Sequence, residues 1–260
     1  MQALWQNVLI TGASSGLGRA LAEACAAPGV VLHLSGRDAT RLKEATTACR
    51  AKGAEVRPCV LDVCDAAAMA DWIAGVGRLD LVIANAGISA GTGGVTEPAA
   101  QARKIFEVNV TGVLNTALPA LEVMAAQSPG ADGLRGRVAV VASVAAFVAA
   151  PGAPAYCATK ASVQRWAEAL DGTERARGIR LHAICPGYVR TPMTDRNKFP
   201  MPFLMDADEA ARRTLAGLAR GKTRIAYPWP TYILARFAGS LPISWRAAIF
   251  NRLPAKDGNI

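Results

Sequence analysis

What most constrains this chain is an alternation. Short, unbroken apolar runs are separated by longer stretches with helical periodicity, from residue 7 to about residue 227. The runs at 7–11, 30–34, 55–61, 79–84, 137–142, 180–185 and 224–227 read as strands, and 17–26, 39–51, 66–75, 99–126 and 156–177 read as helices. A strand without a polar face must be covered on both sides, so the pattern implies a mostly parallel sheet between two layers of helices. Right-handed crossovers then make the fold doubly wound α/β. No repeat, low-complexity tract or early boundary interrupts it. We expect one domain over residues 1–227, with a lid at about 188–215, and a short helical extension over 228–260 packed on it. A chain of 260 residues buries about 70–75% of its unfolded surface, enough to hold a core without metal or disulfide.

The six cysteines (Cys25, Cys49, Cys59, Cys64, Cys157 and Cys185) form neither a C-x-x-C pair nor a zinc-like cluster. They read as reduced thiols of a cytoplasmic protein, with no metal site. The first residues lack a signal-peptide pattern, and no apolar run reaches the roughly 20 residues of a membrane span. The net charge of +9 is concentrated: nine basic residues and no acidic one lie between Arg212 and Lys256, while the remainder carries 20 of each sign. These basic residues are few and accompany no nucleic-acid module, so a nucleic-acid partner is not expected.

The first strand runs into Thr11-Gly12-Ala13-Ser14-Ser15-Gly16-Leu17-Gly18. Glycines at a strand–helix junction let the backbone turn sharply and approach a ligand, and the helix N-terminus offers unpaired N–H groups to a pyrophosphate. Placed at the first junction of a βαβ unit, this is the signature of a dinucleotide site. The second strand ends in Ser35-Gly36-Arg37, where an NAD site usually carries an acid for the ribose 2′-hydroxyl. Gly36 leaves room and Arg37 can pair with a 2′-phosphate, so NADP(H) is expected over NAD(H). Asp38 reads as the N-cap of the next helix.

Further motifs follow in order: Asp62-Val63, Asn85-Ala86-Gly87, Asn109, Ser143, Tyr156-x-x-x-Lys160 and Pro186-Gly187. With the glycine turn they make the chain, over about residues 7–193, resemble the classical short-chain dehydrogenase/reductase family. The resemblance implies a Rossmann fold, hydride transfer between a nicotinamide and a small-molecule carbonyl or secondary alcohol, and a homodimer or homotetramer built on the helices carrying Asn109 and Tyr156. Tyr156 and Lys160, four apart, share a helix face, and a nearby ammonium favours the phenolate. Tyr156 is then the general acid/base and Ser143 holds the substrate oxygen. By resemblance, Lys160 also holds the nicotinamide ribose, and Asn109 supports a water relay to it. Ser14, Ser15, Gly16, Leu17 and Gly18 are expected at the pyrophosphate turn, and Asp62 and Val63 at the adenine. Asn85, Ala86 and Gly87 line the cleft, with Asn85 equally able to brace the sheet. Pro186, Gly187, Val189 and Thr191 run past the nicotinamide. Cys185 stands where an asparagine is common, and with His33 and His182 it reads as structural. A non-catalytic cofactor sensor on the same fold is the alternative; the presence of Ser143, Tyr156 and Lys160 together disfavours it.

Ala145, Phe147, Met193, Phe199 and Phe203 are the expected substrate wall, and their apolar character points to a hydrophobic substrate. Arg190, Arg196 and Lys198 are expected at the rim. Two helical stretches, at 231–239 and 244–253, carry Trp229, Tyr232, Phe237, Trp245 and Phe250 among Arg236, Arg246 and Arg252. Packing on the domain, a subunit interface and peripheral membrane contact are three readings of that segment.

Overall fold

A computed structural model of the chain describes residues 4–197 and 199–250. Lys198, Arg252, Lys256 and the expected helix end at residue 253 lie outside the described residues, as does the side chain of Phe250. Seven strands form one sheet: β1 (Asn7–Ile10), β2 (Val31–Gly36), β3 (Glu55–Val60), β4 (Leu81–Ala84), β5 (Gly136–Val141), β6 (Ile179–Pro186) and β7 (Arg224–Tyr227). Their order is β3-β2-β1-β4-β5-β6-β7, and every pairing is parallel. The reversal of direction lies between β1 and β4, the point where doubly wound sheets open a crevice at their carboxyl ends.

The helices cover both faces because the strand residues alternate between them. Val8, Ile10, Leu81 and Ile83 pack on one side with Leu21 of α1 (Gly16–Cys25) and Leu42 of α2 (Ala39–Ala51). Leu9, Val82 and Ala84 pack on the other with Met69 and Ile73 of α3 (Ala66–Ala74). The second layer is completed by α4 (Ala99–Phe106), α5 (Gly112–Ala126) and α6 (Pro154–Glu174). Asp38 caps α2 as expected, its Oδ1 accepting from the Arg41 N–H at 2.9 Å, and Asp65 caps α3 in the same way at 3.0 Å. Pro58, which cannot donate to a ladder, sits in the edge strand β3.

Three features depart from the expectation. The stretch at 99–126 is not one helix: Glu107–Thr111 form a π-helical turn between α4 and α5. The catalytic-motif helix ends at Glu174 and tightens into a 3₁₀ turn, Arg175–Arg177, before Gly178 at φ 74°. Residues Ala207–Ala219 form α7, which packs on α1 through the buried Ala210 and Ala211. The irregular part of the expected 188–215 lid therefore ends at Asp206. The extension folds as α8 (Trp229–Ser240) and α9 (Ile243–Phe250). Two part-buried ion-pair groups tie the C-terminal half together. Asp171 of α6 accepts from Arg180 Nε at 2.9 Å, the Leu181 N–H at 3.0 Å, Arg175 Nη2 at 2.7 Å and Thr223 Oγ1 at 2.8 Å. Glu168 of α6 holds Arg224 of β7 at 2.6 Å, and Arg224 also donates to the Tyr232 hydroxyl at 3.0 Å.

Candidate active site

The turn after β1 is as tight as its glycines predict. Gly12 and Gly16 lie at φ 67° and 54°, and a Cβ on Gly18 would fall 2.2 Å from the Gly12 carbonyl oxygen. Asn85 braces this turn: its Nδ2 donates to the carbonyls of Thr11 at 3.0 Å and Gly12 at 3.2 Å. Thr11 Oγ1 accepts in return from the N–H groups of Asn85 and Ala86. The two readings of Asn85 are thus compatible, since it also faces the cavity. Helix α1 begins at Gly16 with no side-chain cap and no acid in its first turn, so its N–H groups and positive end stay available to an anion.

A cavity of about 600 Å³ runs from this turn to the ends of β5 and β6. That is within the usual range for a small-molecule site. Every residue expected at the cofactor lines it: Gly12, Ser14, Ser15, Gly16, Leu17, Gly18, Arg37, Asp62, Val63, Asn85, Ala86, Gly87, Pro186, Gly187, Val189 and Thr191. At one end Gly36 lies against Ser14, and a Cβ there would sit 3.0 Å from the serine Oγ. Arg37 is exposed over this end, 3.9 Å from the Asp62 carboxylate. Arg41 lines the same end, and the sequence reading missed it. Its position in the first turn of α2 was signal enough once Asp38 was recognised as the cap. Asp38 Oδ2 holds the Arg41 Nε at 2.7 Å, so the acid nearest the end of β2 is engaged within its own helix end.

At the other end Ser143, Tyr156 and Lys160 come together. The Lys160 ammonium donates to the Val141 carbonyl at 2.8 Å and lies 5.8 Å from the Tyr156 ring centre. Burial pushes the tyrosine up to about 12, against the opposing hydrogen bond of Ser143, and pulls the lysine down to about 8. The expected lowering of the tyrosine by the lysine is therefore not what the site displays. Both groups are desolvated, and that penalty acts on each charged form. Asn109 does not line the cavity. It lies fully buried in the π-helical turn, where Oδ1 accepts from the Ile88 N–H at 2.8 Å and Nδ2 donates to the Ile88 carbonyl at 2.9 Å. Its Nδ2 also reaches Thr159 Oγ1 at 3.3 Å, and Thr159 donates to the Tyr156 carbonyl at 2.9 Å. Asn109 thus fixes the loop after β4 to the helix of Tyr156. Gly87 keeps the way to the lysine open: a Cβ there would sit 3.1 Å from Asn109 Oδ1 and 3.4 Å from Lys160 Nζ.

Of the five residues of the expected substrate wall, Met193 lines this cavity and the other four lie outside its lining. Phe147 turns away to meet Tyr232 of α8 edge-on at 5.3 Å, under the Arg224 guanidinium. Phe203 is 59% exposed, and Phe199 packs on Tyr188. Ala145 is half-buried behind Ser143, giving its N–H to Ser143 Oγ at 3.1 Å. Arg190 is paired with Asp206, Arg196 is exposed, and neither lines the cavity. Cys185 is fully buried and its thiol is pushed up to about 12, which removes it from the chemistry.

Residues 6–200 match the short chain dehydrogenase family. The chain belongs to that family. An "Uncharacterized oxidoreductase" of Myxococcus xanthus is 37% identical over 242 residues, which are 92% of this chain and 93% of that one. A short-chain dehydrogenase from Sphingobium yanoikuyae, solved in complex with NADPH, superposes with a TM-score of 0.77 at 27% identity, over 92% of this chain and 97% of its own. The fold is shared in full with a short-chain dehydrogenase/reductase from Burkholderia phymatum solved with NAD, at a TM-score of 0.81 and 23% identity, with 100% of both chains covered.

Proposed function

We propose that this chain is an NADP(H)-dependent oxidoreductase that interconverts a carbonyl and a secondary alcohol, on a hydrophobic substrate. The observation that carries this reading is a single cavity with an uncapped helix N-terminus and two arginines at one end and buried Ser143 and Lys160 with the half-buried Tyr156 at the other. The glycine turn and α1 would hold the pyrophosphate, Arg37 and Arg41 the 2′-phosphate, Asp62 and Val63 the adenine side, and Lys160 the ribose nearest the reaction. Pro186, Gly187, Val189 and Thr191 would flank the nicotinamide, which when bound supplies or accepts the hydride. The NADPH complex of the Sphingobium relative is in keeping with this cofactor.

The chain's own contribution is positional and protonic. Ser143, fixed by its bond to the Ala145 N–H, presents its hydroxyl to the substrate oxygen. Tyr156, held neutral by burial, donates its phenolic proton to that oxygen in reduction. Lys160, still protonated at neutral pH, offsets the charge left on the phenolate. Asn109 and Thr159 hold the tyrosine helix to the loop after β4, so the donor stays at one position. A cofactor sensor would not need an acid, a hydroxyl and a lysine gathered at one point, and that placement favours the enzyme. Phe106 and Leu118, exposed on α4 and α5, suit the homodimer or homotetramer implied by the family. Six free thiols suit a cytoplasmic location.

A panel of apolar ketones assayed with NADPH and NADH in parallel tests the reading. Turnover with NADPH is expected on at least one ketone, and tight NADPH binding without turnover on any would favour the sensor. Arg37→Ala is expected to raise the KM for NADPH by about ten- to a hundredfold, the loss of one charge-assisted phosphate contact, with little change for NADH. An unchanged preference would remove the phosphate assignment.

A further inference from the structure

The outer face of α8 has no protein partner among the described residues, although the helix itself is firmly seated. Its inner face carries Thr231, Ala235 and Gly239, and a Cβ on Gly239 would fall 1.7 Å from the Phe147 carbonyl oxygen. At its start Pro228 and Thr231 lie against Gly187 of the cavity wall. Tyr232 is bound by Arg224 and meets Phe147 edge-on. The opposite face carries Trp229, Ile233 and Phe237 at i, i+4 and i+8, exposed by 70%, 52% and 62%, with Leu234 beside them. Isolated exposed apolar chains are ordinary, but a row of large ones on one helix face marks a contact surface. The exposure continues into α9 at Ile243 and Trp245.

Charge decides between occupants. No Asp or Glu occurs between Glu209 and Asp257, and Arg236 and Arg246 lie in the two helices themselves. A two-fold contact with a second copy would be isologous and would bring these arginines toward each other with no acid to answer them. A bilayer with anionic headgroups answers both features, taking the Trp, Ile and Phe side chains at its interface and the exposed Arg236 guanidinium at its phosphates. We infer that the outer face of α8, continued by α9, is a docking surface for an anionic membrane, seated beside the catalytic end of the cavity.

Vesicle flotation of the full chain tests this, with vesicles of phosphatidylcholine alone and of phosphatidylcholine with 30% phosphatidylserine, at low and at 0.5 M salt. Binding is expected only to the anionic vesicles and is expected to weaken with salt. The variant W229S/I233S/F237S, altered only at exposed positions, is expected to lose vesicle binding while circular dichroism and thermal unfolding stay unchanged. Removing Arg236 by Arg236→Gln is expected to weaken binding by about fivefold. Sedimentation velocity on the same proteins covers the competing occupant. Absence of binding to anionic vesicles, binding that survives the triple substitution in a folded protein, or a self-association that the triple substitution abolishes would each overturn the inference. None of these outcomes depends on whether the chain reduces ketones, so the two proposals fail separately.

Discussion

Tyr156 and Lys160 illustrate how burial divides roles between two ionisable groups on one helix face. The tyrosine is pushed up to about 12 and the lysine down to about 8, so across the neutral range one is a neutral proton donor and the other a cation. Removing the phenol hydroxyl by Tyr156→Phe should lower kcat for ketone reduction by about 10²–10⁴-fold with cofactor affinity retained, as seen by stopped-flow and by fluorescence titration of NADPH. The pH profile should follow the lysine. Below about 8 its charge is present and reduction is insensitive to pH; above it the ammonium is lost and the rate of reduction declines. A profile flat from pH 6 to 10 would take the lysine out of the proposed chemistry. Residue types and their spacing made this end of the cavity legible, because the motif positions are fixed by strand ends. The direction of the tyrosine shift was not legible. Spacing shows that a lysine is near, but only packing shows how far both groups are removed from water. Phe147 misled for a similar reason: its position after Ser143 points to the pocket, whereas Tyr232 and Arg224, far along the chain, draw it the other way.

Elements were legible where their pattern is local. Short, mostly apolar runs marked the seven strands, and Asp38 marked a helix start by its ability to accept a backbone N–H, whereas the same role of Asp65 was passed over. The π-helical turn at Glu107–Thr111 was not, because helical periodicity runs through it and the widening serves Asn109's bonds to Ile88 and Thr159, which are tertiary. Helix α7 was hidden by its composition: its buried side is mostly small, Ala210, Ala211, Thr214 and Gly217, with Leu218 the one large apolar residue on it, which makes a weak apolar stripe but suits close packing on α1. Polar groups add to apolar packing in holding the C-terminal elements. Asp171 joins α6 to β6 and to the turn before β7 with five donors, and its neighbours hold its carboxyl far below the usual range. Asp171→Ala leaves Arg180 and the Leu181 N–H without their acceptor and should destabilise the fold by about 3–5 kcal/mol, measured by urea unfolding. A loss under 1 kcal/mol would show that water replaces the carboxylate without penalty.

For the molecule as a whole, the same sheet that positions the site also makes it sensitive to acid. His182 lies in β6 at full burial, its Nδ1 2.7 Å from the Lys222 carbonyl, and burial depresses it to about 4. The contact requires the proton on Nδ1, which is compatible with the neutral ring, while the imidazolium would be charged in the middle of the sheet. In the unfolded chain the ring takes a proton near pH 6.5; in the folded chain it does so only near 4. Between these values the unfolded state binds more protons, so stability falls as pH falls, by up to about 3 kcal/mol from this group. His33 of β2, also depressed by burial, acts in the same direction. Below that window the depressed carboxyls of Asp171 and Glu168 take over, since their stabilisation is present above the unfolded carboxylate range and is lost as they protonate. Urea unfolding of the full chain at pH 7, 6, 5 and 4 should therefore show stability declining from about pH 6.5 downward. His182→Asn, which keeps a donor for the Lys222 carbonyl but cannot take a proton, should flatten the curve between pH 6.5 and 4 and leave the acid limb below 4 in place. If the variant kept the wild-type slope in that window, the acid sensitivity would belong to other groups and the buried histidine would be a passive part of the sheet.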